Sequence, residues 1–309
     1  MTEQLASVSY VMPVLNEERY LREAVLSIFE QRFAGPVEVI LALGPSHDAT
    51  DAIAAELATT HPVTLVRNPT GTTSAGLNLA IAAAKHDVVV RVDAHSKLNA
   101  GYTQLAVEVL NQTGAANVGG VMKAVGKTPF QQAVAWGYTS RFGLGGGSFH
   151  VGGQAGPSDS VYLGVFRRSV LKQLGGFDES VIRGQDWELN LRIRQAGLVV
   201  WFDPRLEVEY HPRSSMRALA KQFFDTGFWR GQLTAKSLRS ASLRYFAPPL
   251  AVVVSGLGLV LAAVGLALGL PFNFGIVPLA AYLAAVVLIA GSASGLTLAA
   301  RLAVVVALP

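Results

Sequence analysis

Short apolar runs alternate with amphipathic stretches through the first third of the chain. Val8-Ser9-Tyr10-Val11-Met12-Pro13-Val14, Val37-Glu38-Val39-Ile40-Leu41-Ala42 and Val63-Thr64-Leu65-Val66 are rich in β-branched residues and predict three strands. Val88-Val89-Val90-Arg91-Val92-Asp93-Ala94-His95 predicts a fourth, an apolar run that stops abruptly at an acid, a small residue and a histidine. Between them Leu21, Ala24, Val25, Ile28 and Phe29 recur at helical spacing, and further helices are expected from about 50 to 58 and from 75 to 84. Strands alternating with helices imply βαβ units, hence an α/β fold with a mainly parallel central sheet. In such sheets ligands bind just outside the carboxyl ends of the strands.

Beyond His95 the pattern is less regular. Helices are expected over 102–110, 130–141, 169–174 and 187–196, and strands over 117–122, 161–167 and 199–202. The glycine-rich stretch 142–153 predicts a mobile loop suited to an active-site lid. From 216 to about 233, Leu219, Phe223, Phe224, Phe228 and Trp229 oppose Arg217, Lys221 and Arg230, an amphipathic pattern that suits a helix lying in a membrane interface or an ordinary domain helix, the interface being favoured by the apolar tail that follows.

The pattern then changes altogether. No Asp, Glu, Lys or Arg occurs from Tyr245 to Ala300. Residues 249–270 are long enough as a helix to cross a bilayer core of about 30 Å, 274–289 form a shorter candidate, and 296–308 begin a third apolar segment. The expected organisation is a soluble-type α/β domain over 1–215, an interfacial region over 216–247 and a transmembrane region over 248–309, with two spans and the start of a third.

Composition sharpens this picture. Hydrophobic residues make up 51% and charged residues 15% of the 309 positions, too apolar for an ordinary soluble protein. The chain has no cysteine, which removes disulfides, zinc–thiolate sites and a thiol nucleophile. Its first residues lack the basic start and apolar core of a signal peptide, so the large domain is expected in the cytoplasm at the inner (plasma) membrane. Lys221, Arg230, Lys236, Arg239 and Arg244 precede the tail, where the positive-inside rule and anionic headgroups favour them. A net charge of +4 with no dense basic patch gives no sign of nucleic acid.

Polar residues gather at the expected strand ends: Pro13 with Asn16-Glu17-Glu18, Ser46 with Asp48, Asn78, Asp93 with His95, and Gln185-Asp186-Trp187-Glu188. Singly they have ordinary readings. Asp48 suits a helix start, and Glu17 and Glu18 are acids favoured by a helix dipole. In order and spacing they resemble an inverting family 2 glycosyltransferase of GT-A fold, continuously over residues 7–215. Val11-Met12-Pro13-Val14-Leu15-Asn16-Glu17-Glu18 resembles the opening strand and loop, Ser46-His47-Asp48 the Ser-Thr-Asp turn, and Asp93-Ala94-His95 the Asp-X-Asp metal motif. Gly175-Gly176-Phe177-Asp178-Glu179 and Gln185-Asp186-Trp187-Glu188-Leu189 resemble the acceptor-side motifs. Trp201-Phe202-Asp203-Pro204 and the apolar tail match the membrane-associated subgroup that includes the succinoglycan-pathway glucosyltransferase.

The resemblance implies a nucleotide-sugar donor, UDP- or GDP-linked, held by Pro13, Asn16, Glu17, Asp48, Asn78, Arg91, Asp93 and His211. It implies a divalent cation, Mn²⁺ or Mg²⁺, at Asp93 and His95, and a lipid-linked saccharide or polyprenyl acceptor at the membrane. Two departures stand out. Leu43-Gly44 replaces the acid that often contacts the base, and His95 replaces the second acid, leaving open whether its ring holds the metal or a phosphate oxygen. Inverting transfer needs a general base, for which Asp186 is the candidate, with Arg183 as its nearest cation in sequence. Arg213 is placed to assist the phosphates. A polyprenyl-phosphate monosaccharide synthase and a catalytically silent nucleotide-sugar-binding scaffold are the alternatives.

Overall fold

The computed structural model describes residues 7–143, 147–236, 246–269 and 274–307. Strand β1 (Val8–Val14) pairs in parallel with β2 (Val37–Leu43), and β2 with β3 (Val63–Arg67). On its other side β1 pairs in parallel with β4 (Val88–Arg91). Helices α1 (Leu21–Phe29), α2 (Thr50–Thr60) and α3 (Thr73–Ala83) make the crossovers. The order β3-β2-β1-β4 reverses direction between β1 and β4, which creates a topological switch point there. The β1–β4 register ends at Val11 and Arg91, whereas β1 runs on to Val14 against β2. The sheet therefore opens between the carboxyl ends of β1 and β4. Pro13 lies in that opening, where its missing N–H costs no bond to β4.

Past β4 the sheet is mixed. β8 (Tyr162–Arg167) runs antiparallel to β4 and to β6 (Asn117–Ala124), and β6 runs parallel to β9 (Val200–Tyr210). Two-residue strands β5 (Lys97–Leu98) and β7 (Gly156–Pro157) pair antiparallel with β9. β9 continues well past the expected 199–202, burying Leu206, Val208 and Tyr210 alternately. Its register against β6 jumps from Gly119↔Phe202 to Val121↔Glu207. The chain bulges through Asp203–Leu206 opposite Gly120 alone, where any Cβ would collide with the Leu206 carbonyl.

The sheet is buried on both faces, as its apolar runs predict. Tyr10 and Met12 of β1 pack with Leu21, Leu57 and, from α4 (Tyr102–Thr113), Leu110. Val11 points the other way, toward Leu77 and Phe166 and toward Leu189 and Ile193 of α8 (Gln185–Gln195). Helix α5 (Pro129–Thr139) opens with a reciprocal capping box between Thr128 and Gln131 and with proline in its first turn. Of the glycine-rich stretch, residues 144–146 lie outside the described residues, and a short helix α6 (Ser148–Val151) follows them. Helix α7 (Arg168–Leu174) leads to the 175–179 loop.

Four helices complete the chain: α9 (Met216–Lys236), α10 (Ala247–Ala267), α11 (Val277–Ser292) and α12 (Leu298–Ala307). Pro249–Ala267 and Phe274–Ser292 are long and apolar enough to cross a membrane. Arg239 and Arg244 lie outside the described residues. Within the expected third apolar segment, α12 packs against α5. Ala133, Ala290 and Val304 form the buried centre of that contact, and Arg301 reaches the Gly291 carbonyl at 3.4 Å. Small residues let these helices approach closely, and the contact ties the tail to the α/β domain.

Candidate active site

Three loops meet at the opening between β1 and β4. The first follows β1. Asn16 adopts φ +55°, a left-handed conformation that asparagine tolerates. Its side-chain oxygen accepts from the His47 N–H at 2.9 Å, and its own N–H donates to Ser46 Oγ at 3.0 Å. The Glu17 N–H donates to Thr50 Oγ1 at 2.7 Å. The second loop, 44–49, is thereby laced to the first. Asp48 closes it, accepting from the Thr50 N–H and hydroxyl and from the Glu18 N–H. The Thr50 hydroxyl bond holds the Asp48 carboxyl below its ordinary value. Leu43, standing where an acid is usual, packs against the core, and Gly44 presses its backbone against Gly71 and Leu15.

The third loop is 92–96. Asp93 accepts from Arg91 at 2.9 Å, and the other end of the Arg91 guanidinium donates to Asp186 on α8. Arg91 is 5% exposed. Both of its terminal nitrogens are engaged by carboxylates, so Arg91 works as a strut between them. Burial pushes the Asp93 carboxyl up, but the charges of Arg91 and His95 outweigh this and hold it below its ordinary value. His95 Nδ1–H donates to Glu17 at 2.9 Å, and this bond outweighs burial to raise its pKa, with Asp93 assisting. The 14–18 and 92–96 loops are thus joined by a His–Glu pair as well as by the sheet. Tyr162 lies behind Asp93, its hydroxyl pKa raised by burial and by the Asp93 charge.

The remaining expected residues fall into two groups. β5 and β9 pair, placing residues 209–211 beside the loop that carries His95. His211 faces the Val125 carbonyl at 3.2 Å and Glu209 at 3.6 Å, and Arg213 is close enough to His95 to oppose its protonation. Asn78 is engaged by the 175–179 loop. Its amide donates to the Phe177 carbonyl and Glu179 and accepts from the Phe177 N–H, fastening the 175–179 loop to α3. Gly176 has φ +74°, and a Cβ there would run into Asn78, so loop and helix depend on that glycine.

Helix α8 is fixed from two sides. Asn190 bonds Asn117 at 2.7 Å and Ser160 at 3.0 Å inside the core. Glu188 grips Arg192, which donates to the Leu174 and Gly176 carbonyls. Asp186 sits in the first turn, next to Gly184 in the left-handed region. Arg183 pairs with Asp225 at 3.8 Å, so the cation on Asp186 is Arg91, a partner 95 residues away that no local pattern reveals.

A carboxylate and a histidine at a switch point suit a diphosphate with its cation, and a second carboxylate on the facing helix suits proton transfer. Among the described residues no three metal-ligating side chains cluster. Asp93 and His95 would therefore share a cation with ligand oxygens, as the usual coordination of Mg²⁺ permits.

Comparison with known proteins agrees with this geometry. The sequence pattern of glycosyl transferase family 2 matches residues 9–175. Succinoglycan biosynthesis protein ExoA of Rhizobium meliloti (strain 1021) is 32% identical over 268 residues, 85% of this chain and 81% of that protein. The dolichyl N-acetyl-alpha-D-glucosaminyl phosphate 3-beta-D-2,3-diacetamido-2,3-dideoxy-beta-D-glucuronosyltransferase of Methanococcus voltae is 24% identical, covering 74% of each chain. Among solved structures, the mannosyltransferase PcManGT of Pyrobaculum calidifontis, in complex with GDP-Man and Mn²⁺, superposes with a TM-score of 0.59 at 22% identity, covering 97% of this chain and 79% of its own. S. aureus TarS 1–349 with UDP-GlcNAc superposes with a TM-score of 0.55 at 17% identity. It covers 68% of this chain, which spans 59% of the TarS chain.

Proposed function

The chain belongs to glycosyl transferase family 2, and from that membership we propose that it moves a sugar from a nucleotide diphosphate donor to a lipid-linked or membrane-presented glycan, with inversion at the anomeric carbon. The observation that carries the reading is the Asp93–Arg91–Asp186 bridge, which joins the sheet's switch point to the helix expected to face the acceptor. The donor lies with its diphosphate against Asp93 and His95, and its nucleoside over Pro13, Asn16, Glu17 and Asp48. UDP-GlcNAc and GDP-Man, bound in the TarS and PcManGT structures, support a UDP- or GDP-linked donor. Asp93 and His95 are the residues that would hold a divalent cation, and the imidazole suits Mn²⁺ better than Mg²⁺. Such a cation, when bound, neutralises charge on the departing diphosphate.

The chain's own residues do the rest. Arg91 holds the Asp186 carboxylate toward the donor side. Asp186 takes the proton of the acceptor hydroxyl as its oxygen bonds to the anomeric carbon. The bond from that carbon to the diphosphate breaks, and its electron pair leaves with the nucleoside diphosphate. The two apolar helices would anchor the enzyme in the plasma membrane with its catalytic domain in the cytoplasm. The names of the curated relatives support a place in exopolysaccharide or lipid-linked glycan synthesis.

The test is cleavage of UDP- and GDP-sugars by the purified full-length protein, with and without Mn²⁺, beside Asp93→Ala and Asp186→Asn. Turnover that needs Asp93 supports the reading. Equal turnover in wild type and both variants overturns it.

A further inference from the structure

The chain leaves β9 through His211-Pro212-Arg213 and turns into α9, the last described helix before the membrane-type segments. The turn is fixed at its backbone. The carbonyl of the buried Pro212 accepts from Gln131 Nε2 at 2.9 Å, and Ser215 Oγ accepts from the Ala218 N–H at the helix start. Leu219 then anchors α9 among Met122, Val134, Tyr138 and Tyr210. Arg213 itself is exposed, and a long side chain keeps its rotamer freedom unless something else orders it.

Gln222, two turns into α9, does so. Its side-chain oxygen accepts from Arg213 Nε at 3.2 Å. Its amide nitrogen donates to the Tyr138 hydroxyl at 3.2 Å and to the Tyr210 hydroxyl at 3.3 Å. Both rings are buried and meet edge to face, with centroids 5.8 Å apart. An amide has one accepting and one donating end, and turning this one over would set N–H against N–H at Arg213. Arg213 makes no other hydrogen bond among the described residues, so both its terminal nitrogens remain to bind a ligand. Its charge is near enough to His95 to oppose protonation of that ring, which puts the guanidinium on the donor side.

We infer that Gln222 is a positioning residue for the donor: it holds Arg213 by Nε so that the two terminal nitrogens meet the diphosphate of the nucleotide-sugar. This rests on the transferase reading above. A guanidinium held in this way presents its planar fork to phosphate oxygens, and ordering it beforehand lowers the cost of binding. The helix that leads to the membrane-type segments thereby contributes to donor binding through Arg213, without Gln222 touching the donor.

The probes are UDP and GDP, each titrated with Mn²⁺ by calorimetry into full-length protein in neutral detergent micelles. Arg213→Met is expected to weaken the tighter-bound nucleotide about tenfold or more, as loss of a charged hydrogen-bond partner does. Gln222→Met, close to glutamine in length, is expected to weaken it about fivefold, the order set by immobilising one long side chain on binding. In the Arg213→Met background Gln222→Met is expected to add nothing, because the group it positions is gone. An equal loss in both backgrounds makes Gln222 merely structural and overturns the inference, as does a Gln222→Met protein that binds like wild type. Melting temperature establishes that each variant is folded. If Gln222→Met is not, Tyr138→Phe/Tyr210→Phe takes its place in the cycle with the same expected pattern, since it removes the hydroxyls that fix the amide and keeps the rings. Wild type that binds neither nucleotide sinks the donor reading and this inference together. Wild type that binds one of them, with Arg213→Met binding equally well, sinks only this inference.

Discussion

Valine and leucine do opposite things in the two halves of this molecule. In β4 Val89 is 1% exposed, enclosed by a sheet covered on both faces, whereas Leu266 at the end of α10 is 79% exposed. Burial of apolar surface is worth roughly 25 cal/mol per Å², so the first arrangement suits water and the second suits an apolar solvent. The difference assigns the halves separate tasks. The α/β half holds a rigid polar site at the mouth of its sheet, and the tail presents apolar helices of membrane length. α12 belongs to both, because it is apolar yet buries Val304 against α5.

The sharpest way to break this comparison is at the polar site, where Asp186→Asn should lower sugar transfer by about 10²–10⁴-fold, the usual worth of a general base. Steady-state assay of transfer checks it, and an unchanged rate removes Asp186 from the proposed role. Next in size is Arg91→Met. It strands two carboxylates at the centre of the site, so it should destabilise the domain by about 3 kcal/mol, as loss of one partner from a buried ion network does. Denaturant or thermal unfolding reads that loss, and Lys in place of Met should recover part of it. Asn190→Ala leaves Asn117 and Ser160 without their partner in the core and should cost about 1–3 kcal/mol by the same measurement.

Val304→Ala tests the bridge between the halves. It removes two buried methyl-sized groups and should cost about 1.6 kcal/mol by burial alone, seen as a lower melting temperature in detergent. A tail independent of the α/β half would show no change. The smallest stability effect belongs to Phe224→Ser, within about 0.5 kcal/mol because the ring is exposed. The same variant should lower partitioning onto anionic lipid vesicles if α9 lies in the interface.

Residues in continuous apolar runs were the legible part. β1 to β4 and the crossover helices follow from the chain's alternation, and the switch point follows from their order. β5 and β7 were not legible, since two residues cannot display a period. The second half of β9 carried a readable signal in Leu206, Val208 and Tyr210, obscured by Pro204 and three intervening charges. The site divides in the same way. Asp93, His95, Glu17 and Asp48 stand at strand ends, where sequence order alone gathers them. The Arg91–Asp186 link, the seating of Asn78 on the 175–179 loop and the fold-back of α12 join residues far apart in the chain. Only tertiary packing brings those together.

The central claim is that the opening between β1 and β4 receives the donor's diphosphate. The most direct measurement is a crystal or cryo-EM structure of the full chain with UDP- or GDP-sugar and Mn²⁺. The account predicts diphosphate density against Asp93 and His95, with the sugar directed toward Asp186. Nucleotide density seated elsewhere, for instance in the charged groove of Arg19, Arg22 and Lys97 along α1, would contradict it.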